Sequence, residues 1–242
     1  MSACSSQKKT VDEKGAEKFL GEFLFQEGGC FTLLGDKPIT SMLIFQGEPK
    51  DCCLENLSEE ALQTLKFVDY KTAEHFASWK NFSNNLTFDN FFFVELSAPN
   101  DPSTTFLFFV NICETKKVFD THMDLFLAKT EISEWENLLS ELKKPNTTLW
   151  QALFKDHYLA GLLYGFGQQN AQMFCNKDSQ MISEEFTEVA SKEHFPIPVY
   201  AASENDEMTR KYKNQREAIK KVYQEGSVLE VTLKTLQKVS LK

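Results

Sequence analysis

The hydrophobic period of this chain changes once, near residue 115, and that change restricts the architectures open to it. Before it, FFFVEL (91–96) and TTFLFFVNIC (104–113) are short runs dense in aromatic and β-branched residues, the composition that suits a pleated, half-buried strand. SAPNDPS between them supplies turn residues, so the two runs are expected to form a hairpin. After residue 115 apolar residues recur every three or four positions, the period of a helix with one buried face. Val118, His122, Leu125 and Phe126 mark one stripe. Ile132, Trp135, Leu138, Leu139 and Leu142 mark a second, and Leu149, Leu153, Phe154, Tyr158, Gly161 and Leu162 a third, with Lys144-Pro145-Asn146 between them. Strands gathered in one part of a chain and helices in another predict an α+β fold rather than alternating βαβ units.

Upstream, Val11, Phe19, Leu20, Phe23 and Leu24 repeat at helical spacing, and Gly28-Gly29 provides a stop. CFTLL (30–34) and ITSMLIF (39–45) flank Gly35-Asp36-Lys37-Pro38, which is read as a second hairpin. Ser58 opens a helical pattern running through Leu62, Leu65, Phe76 and Trp79. Near the C-terminal end, Ser203 with Asp206 resembles a capping arrangement for a helix ending near Gly226, and VLEVTLKTLQKV (228–239) fits either helix or strand. The expected architecture is a small antiparallel sheet from two hairpins packed against several helices. It forms one α+β domain over residues 11–242 behind a flexible tail at residues 1–10. A chain of 242 residues, 42% apolar, can fill one large core. Its 22 phenylalanines against 3 tryptophans and 6 tyrosines imply aromatic bulk with few buried polar atoms to satisfy.

The segment GLLYGFG (161–167) invites three readings. A dinucleotide loop needs GxGxxG between a strand and a helix; here Asn170 stands where the third glycine belongs and the preceding period is helical. The small and apolar run from Tyr158 to Gly167 is ten residues long, half of the ~20 that cross a bilayer. Close packing remains. Gly161 and Gly165, four apart, are expected to leave a groove on one helix face, with Gly167 ending or kinking that helix.

A formal charge of −9 and a pI near 5.1 oppose nonspecific nucleic-acid binding, which depends on Lys and Arg neutralising phosphates. Residues 205–224 hold Arg210, Lys211, Lys213, Arg216, Lys220 and Lys221 against Asp206, Glu207 and Glu217. Acids early and bases late suit a helix dipole, so this stretch is read as a solvated helix face. The six cysteines include no CxxC and are read as free thiols, with Cys30 and Cys113 buried in their apolar runs. His157 and Cys175 are the best thiol and imidazole pair for nucleophilic chemistry, although their spacing does not join them. Asp120, His122 and Asp124 would share a face only in extended chain, and their surroundings are helical. His75 and His194 stand without a second ligand at a useful interval, and HExxH, GxSxG and Walker patterns do not occur. No catalytic, cofactor-binding or metal-binding residue is therefore assigned, and no cofactor is expected.

Four stretches, GGCFTLLGDKPIT (28–40), FFVNICETKKVFDTHMDLF (108–126), HYLAGLLYGFGQQNAQMF (157–174) and MTRKYKNQREAIKKVYQEGSVLEVTLKTL (208–236), carry a resemblance across most of the chain. They resemble an uncharacterised family of hypothetical proteins, some lipoprotein-like, from chlamydia-type intracellular bacteria. The resemblance implies a bacterial origin and a shared fold, and transfers no catalytic residue. Ser2-Ala3-Cys4 before a polar tether resembles the end of a lipoprotein signal, which, if the start of the chain has been trimmed, would place the protein at the envelope through lipid on Cys4. The chain as written reads as cytoplasmic, with no transmembrane segment. The leading expectation is a non-enzymatic protein acting by contact with another protein; the alternative is a hydrolase or transferase using Cys175 with His157.

Overall fold

The computed structural model describes residues 9–46, 71–98, 101–130, 132, 134–176, 182–183, 189–198, 200–201 and 206–239. Its centre is an antiparallel sheet of three strands, β1 (Ile39–Phe45), β2 (Phe91–Ala98) and β3 (Asp101–Asn111), in the order β1-β3-β2. The expected β2–β3 hairpin forms, with Phe92 opposite Val110 and Leu96 opposite Phe106, and its register shifts at Ser97/Ala98.

The other expected hairpin does not form. Residues Gly29–Leu34 are a short helix, α2, and β1 pairs with β3 instead, from Ile39 opposite Val110 to Phe45 opposite Thr104. Gly29, Cys30, Phe31, Thr32 and Leu33 are all buried. A short run buried on every side shows neither period in its sequence, so CFTLL carries no mark that separates helix from strand.

Alternation along β3 divides the interior into two layers, because successive side chains leave opposite faces. Leu107 and Phe109 enter one core with Met42, Ile44 and Phe91. Phe108 and Val110 enter the other with Ile39, Val94 and Leu96. The first core is covered by α1 (Val11–Gly21), its π-helical continuation Glu22–Gln26, α2, α3 (Thr72–Ser83), α9 (Glu207–Tyr223) and α10 (Val228–Val239). Within it, the Phe109 ring lies 4.7 Å from Phe93, 5.3 Å from Phe91 and 5.7 Å from Phe23, and Phe23 continues to Phe19 at 5.6 Å. The second core is covered by α4 (Ile112–Thr130), α5 (Trp135–Leu142), α6 (Thr148–Lys155), α7 (His157–Leu163) and α8 (Gln168–Cys175). There Phe108 meets Trp150 at 4.4 Å, while the Trp150 indole N–H donates to the Leu142 carbonyl at 3.2 Å. A two-residue pair, β4 (Ile182–Ser183) with β5 (Tyr200–Ala201), forms a separate small sheet. The fold class is α+β, as expected.

Several local readings are refined. The stripe expected to run unbroken from Leu149 to Leu162 divides at Asp156, whose extended backbone ends α6 and whose Oδ1 accepts the amides of Tyr158 (3.0 Å) and Leu159 (3.2 Å) to start α7. Residues 228–239 are helical. Asp206 caps α9 as expected, while Ser203 lies outside the described residues, as do Ser58, Leu62 and Leu65. Cys30 is buried as read, but Cys113 is exposed, since the helix α4 begins at Ile112 and turns it outward. Among the described residues, no helix is long and apolar enough to cross a membrane.

Truncating Phe109, which is 3% exposed within this aromatic chain, is expected to lower unfolding free energy by about 3–5 kcal/mol in urea titration. Phe154→Ala, at a side chain 40% exposed, should cost under about half of that by the same measurement.

Candidate functional site

A cluster of polar contacts lies where residues 35–38 carry the chain from α2 into β1. The Lys37 amide donates to the Phe31 carbonyl at 3.2 Å. The Pro38 carbonyl accepts two donors, the Asn111 amide at the end of β3 at 2.8 Å and the Thr115 hydroxyl in the first turn of α4 at 3.2 Å. Asn111 also donates from Nδ2 to the Thr32 carbonyl at 3.0 Å, and Asp36 pairs with Lys211 of α9 at 3.0 Å. Apart from the local Lys37–Phe31 bond, each of these joins segments far apart in sequence, so the corner exists only in the assembled fold.

Lys37 sits inside this corner, 4% exposed. Its ammonium donates to Thr40 Oγ1 at 3.0 Å and stands 5.8 Å from the centre of the Tyr164 ring. Thr40 in turn shares a 2.7 Å hydrogen bond with Thr32 and donates to the Gly28 carbonyl at 3.4 Å. One hydrogen bond and one aromatic face are thin solvation for a buried ammonium. Burial accordingly pulls the Lys37 pKa down to about 8, opposed by the nearby Glu27 carboxylate. Glu27, half-buried after the π-helical turn, is pushed up to about 7 by burial, opposed by Lys37 and reinforced by Glu22. Burial also raises Cys30, Tyr164 and Tyr212.

The glycine segment forms the other wall of the corner. Gly161 is inside α7, and a Cβ there would stand 2.9 Å from the Ala171 Cβ of α8, so these helices do approach closely as expected. Gly165 is not on that helix face. It follows the end of α7 with φ +77°, its carbonyl accepts the Tyr212 hydroxyl at 3.0 Å, and a Cβ on it would run into that same oxygen. Positive φ with no room for a side chain makes this a glycine turn rather than a helix groove. Gly167, also at φ +77°, precedes α8 and so ends the segment as expected.

Beside the corner a small open groove is lined by Ile39, Phe108, Trp150, Leu153, Phe154 and Tyr164, among others. Tyr164 belongs to both places, since its ring faces Lys37 and its hydroxyl donates to Ser41 of β1 at 2.7 Å. β1 forms one margin of the sheet. Hydrogen bonds from the Asn111 amide to the Pro38 carbonyl and from the Gln46 amide to the Ser103 carbonyl fix the parity of its pairing. Even-numbered residues bond to β3, and Ile39, Ser41, Leu43 and Phe45 direct their amides and carbonyls away from it. Among the described residues no strand pairs with that outer side, and Leu43 is 44% exposed.

The residues singled out in sequence are distributed elsewhere. No hydrogen bond joins His157 and Cys175; the His157 ring instead meets Phe174 edge-on at 5.8 Å. Asp120, His122 and Asp124 lie on α4, which departs from helical geometry at His122 (φ −122°, ψ 25°). Among the described residues no three His, Cys, Asp or Glu side chains converge to hold a metal ion. His75 does have an acidic companion, Glu22, at 3.4 Å, supplied by a helix more than forty residues away in sequence. On α9, Lys211 pairs with Asp36, Lys220 pairs with Glu217, and Arg216 donates to the Phe195 carbonyl, so half of that basic set is committed within the protein. Glu27, Lys37, Tyr164 and Tyr212 were not foreseen. The lysine between Gly35 and Pro38 was the one signal, and it reads equally as a solvated turn.

Comparison with known protein families, curated proteins and solved structures finds no match. Four distant parts of the chain meet here: Lys37 and Thr40, Asn111 and Thr115, Tyr164 and Gly165, Lys211 and Tyr212. The arrangement has the form of a packed polar corner with an apolar groove beside it.

Two measurements follow from this geometry. Gly161→Ala should lower stability by about 1–3 kcal/mol in urea titration, because the steric conflict with Ala171 outweighs the better helix propensity of alanine. The second concerns pH. Glu27 is raised from 4.5, so its contribution is full at acid pH and lost as pH rises to about 7. Lys37 is lowered from 10.5, so its contribution is present in strong base and lost as pH falls through about 8. Lys37→Met should therefore raise stability at pH 7.5 by about 1–3 kcal/mol, with the advantage fading toward pH 10.5 in urea titrations across pH.

Proposed function

We propose that this protein is non-enzymatic and acts by binding an extended segment of another protein along the outer side of β1. The observation that carries this reading is the coincidence of three features at one margin. Backbone amides and carbonyls of Ile39, Ser41, Leu43 and Phe45 point outward, Leu43 and Phe154 expose 44% and 40% of their surfaces, and the apolar groove opens alongside. A strand added to a sheet margin gains main-chain hydrogen bonds, and an adjoining apolar groove selects its side chains. Uncovered apolar sheet margins are otherwise a route to aggregation, so folded proteins usually cover or charge them. β1 carries no charged residue at all.

We further infer a bacterial protein which, where its chain derives from a longer precursor with an apolar leader, is tethered at the cell envelope through lipid on Cys4. Support comes from the resemblance of the four stretches to the chlamydia-type family and from Ser2-Ala3-Cys4 before a polar tether. Cys4 itself lies outside the described residues.

A photo-reactive benzoylphenylalanine replacing Phe154 tests the docking reading in bacterial cells expressing the full chain. A discrete protein adduct is expected at position 154, lost when Leu43→Lys is added, and not formed from the exposed control position Val189. Equal labelling at both positions, or none at 154, would rule the reading out.

A further inference from the structure

We propose that the small groove beside β1 selects one large apolar side chain of the added strand, leucine or phenylalanine in class, and discriminates against charged and small ones. This inference rests on the reading of β1 as a docking margin and names what that margin selects. Its basis is the chemistry of the lining. Among the described residues the groove is bounded by aliphatic and aromatic side chains, and no carboxylate, ammonium, guanidinium or imidazole lines it. Only two of those side chains carry a polar atom, and both are bonded inside the protein. The Trp150 indole N–H donates to the Leu142 carbonyl at 3.2 Å, and the Tyr164 hydroxyl donates to Ser41 Oγ at 2.7 Å. A lysine or glutamate entering the groove would give up water and meet no partner. A leucine or a phenyl ring gives up nothing and buries apolar surface.

The register of the sheet sets where that side chain enters. Residues directly opposite in an antiparallel pair share a face, so Ser41, opposite Phe108, and Leu43, opposite Phe106, lie on the face of the second core. On that face Ser41 is the small residue between Ile39 and Leu43. A residue of the added strand paired with Ser41 has only a hydroxymethyl group to pass before it reaches Phe108 and Trp150, whose rings lie 4.4 Å apart. Tyr164 and Phe154 bound the way in. The Tyr164 hydroxyl is fixed over Ser41 on one side. On the other, the Phe154 ring lies 5.3 Å from Phe106 and 6.3 Å from Phe108, with 40% of its residue surface left to be covered. Ala160 of α7 lines the same groove with a single methyl group, so a longer side chain at that position would fill the space that the incoming residue needs.

Fluorescein-labelled heptapeptides Thr-Val-Thr-Xaa-Thr-Val-Thr, with leucine, phenylalanine, alanine or lysine as Xaa, test the inference by fluorescence anisotropy against the full chain. The leucine and phenylalanine peptides are expected to bind about tenfold more tightly than the alanine peptide, and the lysine peptide more weakly than alanine. Ala160→Leu should bring the leucine and phenylalanine peptides down to the affinity of the alanine peptide and leave the alanine peptide unchanged. Methylating the backbone nitrogens of Xaa and both valines, which face β1 when Xaa stands opposite Ser41 in an antiparallel pair, should abolish binding of every peptide. Binding that survives methylation, or no binding by any peptide, would overturn the strand reading and this inference with it. Methylation-sensitive binding with no preference for leucine or phenylalanine, or with a preference unchanged by Ala160→Leu, would overturn the selectivity of the groove alone. If Ala160→Leu does not fold, the ranking of the four peptides on the unaltered chain decides by itself.

Discussion

β3 buries side chains on both of its faces, and the rest of the molecule is arranged around that demand. Leu107 and Phe109 on one side and Phe108 and Val110 on the other are each under 5% exposed. A strand with two apolar faces is stable only when helices cover both, since either face left in water would forfeit roughly 2 kcal/mol per large side chain. The N-terminal and C-terminal helices close one side, and the middle helices close the other. Two layers of helices thus hang on one central strand, with β1 and β2 extending the sheet to either side.

The corner at Lys37 follows from this layering. The chain must pass from α2, in one layer, to β1, in the sheet, while α4 leaves the far end of β3 toward the other layer. Pro38 has no amide to satisfy, and its carbonyl accepts both Asn111 and Thr115, pinning the start of β1 to the start of α4. The glycine turn then closes over Lys37 from the second layer, and Tyr212 ties it to α9 in the first. The two layers meet around the margin of the sheet at this point. Meeting there also explains why a lysine is enclosed, because its long stem fills space between elements that approach from opposite sides. The groove opens beside the same junction, with Phe154 in its lining and 40% exposed.

Some of this was legible in the residues and some was not. FFFVEL and TTFLFFV carry strand composition on both sides of a turn, so their hairpin follows from local chemistry. The stripes through Phe126, Leu142 and Leu153 declare helices because their apolar positions recur with the period of a helix. CFTLL has no such declaration. It is buried all round, and whether it coils or extends is settled by β3 taking β1 as its partner. Gly165 is similar: four residues after Gly161 it belongs to the same helix face on paper, but Asp156 and the end of α7 place it in a left-handed turn. His157 with Cys175 and Asp120 with Asp124 were the candidates for chemistry that residue type suggested, whereas the contacts of Tyr164 with Ser41, Tyr212 with Gly165 and Lys211 with Asp36 are made across the chain.

By itself the sequence determined the α+β class, the β2–β3 hairpin, most of the helices and the phenylalanine-rich interior, because these depend on the period and bulk of neighbouring residues. The tertiary structure alone decided the helical state of residues 29–34, the pairing of β1 with β3, and the enclosure of Lys37 beside Glu27 and Tyr164. Solvation is the reason for the division: a side chain's period is written in its neighbours, but whether a charge meets water depends on which distant segments close around it.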